Sequence, residues 1–381
     1  MKIMLVAGEA SGDYYGSGLI KALKEIGGEI EFFGWGGKLM AQEGMELIFD
    51  PTNLSPIGFT EVVKLLGFYK KWLKRLEQYL IQRRPNCLVL IDFPGFNMRL
   101  AKIAKRLDIP CVYFIPPSAW AWGENRAKKV ANTVNKVAAI LPMEIDVYQK
   151  AGADVVMVGH PLLEEIPEEI DRAKACNNLK LNDKQPVLAV IPGSRMQEIK
   201  THFQLMLEAC QILKQEIPKL QVILPKAPTI ERKVLEDMAK ESNLEINIIE
   251  GQTHMVIAAA TVCLCTGGTV TLEAALLARP MVNVYKLSKL SFMLVQAIVK
   301  VDYFTLPNVI LNKKIVPELI QDDFTVQNMV DNLRPLLIDS NPNQEIASKL
   351  KEIRPMLGQK GCYRNTARII WEVACSAGSN N

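Results

Sequence analysis

Short apolar runs alternate along this chain with longer segments in which apolar residues return every three or four positions. The runs occupy residues 3–7, 87–91, 111–115, 155–158, 187–191, 221–224, 246–249 and 262–265. Continuous runs of this kind, ending in Gly/Ser turns and leading into helical patterns, predict parallel strands covered on both faces. The same grammar opens both halves. Residues 3–7 run into Gly8-Glu9-Ala10-Ser11-Gly12-Asp13 and a helical pattern from Tyr15 to Lys24. Residues 187–191 run into Pro192-Gly193-Ser194-Arg195 and a helical pattern reaching about Glu216. Strand–helix alternation in both halves predicts two doubly wound α/β domains. The join is expected near Gly159-His160-Pro161-Leu162, giving domains 1–160 and 161–355.

Composition narrows the class. The chain has 381 residues, 49% of them hydrophobic and 23% charged, which excludes a disordered, collagenous or disulfide-framework protein. Its 45 Lys and Arg against 41 Asp and Glu leave a net charge of +4, too small for a general nucleic-acid footprint. The eight cysteines form no C-x-x-C pair, which predicts buried free thiols in a reducing compartment. The first apolar run is too short for a secretory signal, and residues 290–299 are about half of the ~20 needed to span a bilayer. The chain is therefore expected to be neither exported nor membrane-spanning.

Ligands of open parallel sheets bind beyond the carboxyl ends of the strands, so the strand-to-helix turns carry the candidate chemistry. In Pro192-Gly193-Ser194-Arg195, Gly193 admits a close backbone approach and Arg195 offers a planar fork for a diphosphate; an N-cap serine beside a solvated arginine fits equally. In the stretch Cys265 to Glu273, Gly267 and Gly268 precede Thr269, a helix N-terminus, and Glu273 stands one turn on, placed for a ribose diol. Two anion-type turns in one half predict a nucleoside-diphosphate site there. No P-loop motif is present. In the first half, Asp92 ends a strand in Ile91-Asp92-Phe93-Pro94-Gly95-Phe96-Asn97, either as a general base or as a loop cap. Glu9 and Asp13 supply further acids, which read equally as helix N-terminal charges. His160 reads as a hydrogen-bonded structural residue, and the three histidines make no zinc triad.

Residues 60–84 hold seven Lys/Arg and two Glu. Val62, Leu65, Leu66, Tyr69, Trp72, Leu73 and Leu76 recur at helical spacing beside Lys70, Lys71, Lys74 and Arg75. Such a helix can lie on an anionic bilayer or pack on its own sheet with a solvated basic face, and periodicity alone favours packing.

Taken together, these turns resemble the lipid-A-disaccharide synthase family. The resemblance extends to Trp120-Ala121-Trp122, Val158-Gly159-His160-Pro161-Leu162, Thr271-Leu272-Glu273-Ala274, Pro280-Met281-Val282, Tyr285-Lys286, Pro307-Asn308 and Val316-Pro317-Glu318-Leu319-Ile320-Gln321, in the family's order and over nearly the whole chain. It implies a GT-B glycosyltransferase, with two Rossmann-like domains facing across a cleft and a last segment, 356–381, returning toward the first domain. The implied reaction joins UDP-2,3-diacylglucosamine to 2,3-diacylglucosamine 1-phosphate with inversion, giving a β-1,6-linked disaccharide 1-phosphate and UDP, without metal or other cofactor.

The same resemblance assigns roles. Gly193, Ser194, Arg195, Gly267, Gly268, Thr269, Glu273 and Asn308 would hold the donor UDP. Glu9, Ser11, Asp13 and Asn97 would hold the acceptor, with Asp92 as base. Val62, Leu66, Tyr69, Lys70, Trp72 and Leu73 would contact the anionic cytoplasmic face of the inner membrane, where the protein would be peripherally bound. A homodimer exchanging its C-terminal part is also in keeping with the family. This chain departs from it at Gly95, where a second acid is common, and at Tyr15. A UDP-GlcNAc 2-epimerase, a muramyl-lipid transferase or a non-catalytic lipid-binding relative would share the architecture.

Overall fold

The computed structural model describes residues 1–51, 59–289, 292, 293, 296, 299 and 301–378, the side chains of 59–66, 377 and 378 aside. The apolar stretch 290–299 thus lies largely outside the described residues. The chain divides into two compact units, Met1–Glu164 with Leu357–Asn381, and Glu165–Met356. The first unit ends at Glu164 rather than at 160, and takes the C-terminal helix Cys362–Gly378 with it.

In the first unit the strands are β1 (Lys2–Ala7), β2 (Glu31–Trp35), β3 (Glu46–Phe49), β4 (Cys87–Ile91), β5 (Cys111–Phe114), β6 (Lys136–Ala139) and β7 (Val155–Met157). They form one sheet in the order β3-β2-β1-β4-β5-β6-β7, with every pairing parallel. Outward growth from a central β1–β4 pair is the doubly wound pattern. β4 is buried along its whole length, as its unbroken apolar run requires. The helices α1 (Ala10–Ile26), α2 (Lys38–Gln42), α3 (Phe59–Arg83) and α4 (Pro94–Arg106) cover the sheet, and Cys362–Gly378 packs on α1.

The second unit repeats the plan with β8 (Val187–Ile191), β9 (Gln221–Lys226), β10 (Asn247–Glu250), β11 (Val262–Thr266), β12 (Met281–Tyr285) and β13 (Glu318–Ile320). The order is β10-β9-β8-β11-β12-β13, again all parallel. Its core joins Leu188, Val190, Leu264 and Val282 to Phe203, Leu207 and Leu213 of the covering helices.

Sequence periodicity misses β2, β3, β6, β12 and β13. β2 is broken by Gly34, β6 is half alanine, and β13 has three residues, so none presents a long β-branched run. Seven of the eight cysteines are buried and free, and Cys375 is exposed. No described helix is long and apolar enough to cross a membrane.

Candidate active site

The turns after β8 and β11 meet in the second unit around a cavity of about 340 Å³. Gly193, Ser194 and Arg195 line it from one side, and Gly267, Gly268, Thr269 and Glu273 from the other. Parallel β8 and β11 are neighbours in the sheet, so their carboxyl-terminal turns necessarily open side by side. The helix Thr269–Leu276 begins at Gly268, whose φ of 129° suits glycine, and no side chain caps its first turn. Its N–H groups therefore face the cavity with the partial positive charge of a helix start. Of the residues proposed for the donor, seven thus share one cavity.

Glu198, one turn into the first helix, decides how the β8 turn presents itself. Its Oε2 accepts from the Ser194 and Arg195 backbone N–H groups at 3.0 and 3.2 Å, and its Oε1 accepts from Arg195 Nη1 at 3.2 Å. A Cβ at Gly193 would stand 2.3 Å from Oε2, so glycine makes room for this carboxylate. The guanidinium of Arg195 is anchored at one end while its side chain stays 72% exposed. Glu273 Oε2 lies 3.2 Å from His254 Nε2, and that hydrogen bond raises the histidine's pKa. A carboxylate held by His254 can still turn its remaining acceptor capacity to a diol.

In the first unit, β4 ends in an elbow. Asp92 and Phe93 adopt φ of 48° and 51°, two successive left-handed residues with side chains, before α4 begins at Pro94. Burial, then the charge of Glu9, raises the Asp92 pKa, against a lowering hydrogen bond from the Phe93 backbone. Glu9 and Ser11 are exposed at the end of β1, beside β4 in the sheet. Gly95 is exposed as well, and a Cβ there would meet nothing within 4 Å. The position where the resemblance leads one to expect a second acid is open space here.

Several of the polar residues singled out in the sequence have their polar atoms engaged within the protein. Asp13 is buried, and its carboxylate accepts from the N–H groups of Gly37, Leu39 and Met40 at 2.8–3.1 Å. It caps α2 from outside the helix. Asn97 is fully buried, with its Nδ2 donating to the carbonyls of Asp92, Ile91 and Val6. Asn308 is fully buried too: its Oδ1 accepts from Ile315 and Val316 N–H, and its Nδ2 donates to Val316 O and Glu318 Oε1. It braces the loop that leads into β13. His160 is buried as a structural residue, its Nδ1 accepting from Leu162 N–H, and burial lowers its pKa to about 4.

The basic helix α3 turns its aromatic side inward. Trp72 packs on Trp35 and Phe49 with ring centroids 5.3 and 4.6 Å apart, and Tyr69 and Leu73 join the same core. These three face their own sheet, as periodicity alone favours, because β2 and β3 leave an aromatic surface that only a helix can cover. What α3 turns outward is Lys70, Lys71, Lys74 and Arg75. The side chains of Val62 and Leu66 lie outside the described residues.

Other site residues carry no motif signal. Glu198 and Thr266 line the cavity, and the buried Thr266 hydroxyl has no hydrogen-bond partner. Thr266 is the first polar residue after an apolar strand run, which is the one hint the sequence offers. Glu144 is buried, with Oε2 accepting from the Ile140 and Leu141 N–H groups, and burial pushes its pKa up to about 8.

Comparison with known proteins places this geometry. The family model for lipid-A-disaccharide synthetase matches residues 3–371. The lipid-A-disaccharide synthase of Trichlorobacter lovleyi is 35% identical over 369 residues, covering 97% of this chain and 96% of the relative. That of Pseudomonas putida is 38% identical over 343 residues, covering 90% and 91%. Among solved structures, UDP-GlcNAc 2-epimerase from Neisseria meningitidis, bound to UDP-GlcNAc, superposes with a TM-score of 0.65 at 14% identity, covering 99% of this chain and all of the other. Anabaena HepE, in complex with UDP and glucose, gives 0.53 at 16% identity over the full length of both chains. At such identities the structural likeness shows a shared fold of two Rossmann-like units and says nothing of the reaction. Sequence similarity over nearly its whole length makes this chain a member of the lipid-A-disaccharide synthase family of glycosyltransferases.

Proposed function

We propose that this protein transfers a 2,3-diacylglucosaminyl group from its UDP carrier to the 6-hydroxyl of 2,3-diacylglucosamine 1-phosphate. In the reaction the acceptor O6–H bond breaks as O6 bonds to the anomeric carbon with inversion. The sugar–diphosphate bond breaks, and UDP leaves with the electron pair. The observation that carries this reading is the cavity of the second unit, where two glycine turns, a helix start, Arg195 and Glu273 converge within a chain of this family. The uncapped helix start and Arg195 would stabilise the charge that develops on UDP. Glu273 would hold the ribose.

Asp92 would take the O6 proton. Desolvation makes it a stronger base than an ordinary carboxylate. Because a base must be unprotonated, activity should fall with acidification at a pH above the usual carboxylate range. The exposed Glu9 and Ser11 would meet the acceptor. The lysine face of α3 would hold the protein on an anionic inner-membrane surface by charge, at about 1 kcal/mol per basic residue.

Incubating the protein with UDP-2,3-diacylglucosamine and 2,3-diacylglucosamine 1-phosphate, and measuring product mass and UDP, tests the reading. A disaccharide 1-phosphate is expected. Conversion of UDP-GlcNAc to an epimer instead would favour the reaction named for the structural neighbours, and neither product would favour a lipid-binding relative.

A further inference from the structure

We propose that Tyr113 and Asn97 are positioning residues for the transfer reaction: together they clamp the Asp92 carbonyl and so fix where the Asp92 carboxyl points. The proposal rests on the reading of Asp92 as the base.

The elbow after β4 asks for an explanation on backbone grounds alone. A residue with a side chain held at positive φ costs about 1–3 kcal/mol, and here two stand in succession, Asp92 at 48° and Phe93 at 51°. Glycine would adopt both conformations freely. Such an elbow persists only where the surroundings over-determine it.

The Asp92 carbonyl receives two side-chain donors, Tyr113 Oη at 2.8 Å and Asn97 Nδ2 at 2.7 Å. Both lone pairs of this oxygen are thus taken at the point where the chain leaves the sheet. The Asp92 N–H is tied to Phe114 O at 3.1 Å, and Asn97 N–H returns to Phe93 O at 3.0 Å. The Phe93 ring lies where a Cβ at Gly8 would stand 2.3 Å away, so the ring is seated directly on the β1 turn.

Tyr113 and Asn97 show no exposure at all. Any effect they have on turnover is therefore indirect, and the group both of them bond is the Asp92 carbonyl. Burial, with the Asp92 charge next, holds the Tyr113 phenol well above its ordinary pKa, so it remains an O–H donor across the working range. With the carbonyl, the N–H and the following ring all fixed, only the side-chain rotation of Asp92 remains free. That is the degree of freedom a positioned base needs to keep small. The charged or titratable groups facing Asp92 are Glu9 from the β1 turn, Tyr113 from β5 and Glu144 from the helix Pro142–Lys150.

Tyr113→Phe removes one donor and leaves the buried ring. Its kcat is expected to fall about tenfold or more, with KM for both substrates and UDP affinity within twofold of the parent. The acidic limb of its kcat/KM profile should move to lower pH, because a loosened Asp92 is better solvated and less repelled by Glu9. A kcat within twofold of the parent would overturn the clamp. So would a joint collapse of kcat, UDP affinity and melting temperature, which would mark Tyr113 as a general support of the fold. Asp92→Asn, measured in parallel, separates the two claims. Full turnover by that variant would overturn the base assignment itself, whereas its inactivity beside a normal Tyr113→Phe would overturn only the positioning role.

Discussion

The Asp92 turn and the Gly193 turn each stand at the carboxyl end of one of the two central parallel strands of their sheet, β4 and β8, yet they are built oppositely. In the first unit the backbone is strained and its side-chain partners are buried, so the turn is held rigidly from within. In the second unit glycines relax the backbone, and an acid one turn along, Glu198, ties the exposed turn and Arg195 together. A base that removes one proton at one point needs rigidity. A site that gathers a diphosphate needs open N–H groups and a cation with some freedom to close on it. On the proposed reading, one scaffold would serve two chemistries through its turn residues.

The comparison is broken most directly at its strained end. Asp92→Asn should abolish measurable turnover, a loss of two orders of magnitude or more, while UDP affinity measured by calorimetry stays near the parent value. A parallel collapse of UDP binding would show that the elbow merely supports the fold. At the relaxed end, Arg195→Ala removes a charge-assisted contact worth ~1.5–3 kcal/mol, so kcat/KM should fall roughly ten- to a hundredfold. Parental steady-state kinetics in this variant would remove the guanidinium from the donor site.

The units should also differ at their surfaces. Reversing Lys70, Lys71 and Lys74 to Glu should weaken sedimentation with anionic vesicles by about tenfold or more at low salt and leave solution turnover of short-chain substrates intact. Equal sedimentation of parent and variant would leave α3 without a membrane role. The smallest effect concerns Glu144. Its folded pKa of about 8 lies above the 4.5 of an ordinary glutamate, so its protonated form favours folding, and that contribution is present below the ordinary value and drains away as pH rises from there to about 8. Glu144→Gln should keep the bonds to Ile140 and Leu141 N–H and raise the melting temperature above pH 8, by ~2–4 °C per kcal/mol recovered. An unchanged melting curve at pH 9 would mean the carboxylate is satisfied in both forms.

Fold class was legible because parallel strands buried on both faces must be apolar throughout, and eight such runs stand out at helix-length spacings. The donor turns were legible for a related reason: glycine beside a strand end limits what the backbone can be doing, and seven of the residues so marked line one cavity. The internal bonds of Asp13, Asn97 and Asn308 were not legible, because a polar side chain in a turn motif looks the same whether it meets a ligand or a neighbouring loop. What separates the two is which backbone groups lie within hydrogen-bond reach, and only the folded chain brings α2 onto Asp13, 24 residues and more away. Trp72 shows the same ambiguity on a helix, where only the aromatic surface of β2 and β3 decides which way it faces.

By itself, then, the sequence determined the strand and helix alphabet, the two-unit plan and the turns where chemistry gathers, since each follows from local periodicity and from what glycine and proline permit. Tertiary structure alone decided which polar groups are consumed internally, that Glu198 braces the β8 turn, and that Tyr113 meets the Asp92 carbonyl. The physical reason is that hydrogen-bond satisfaction in a buried site depends on groups brought together across the sheet, 21 residues apart for Tyr113 and Asp92, and no local pattern records that distance.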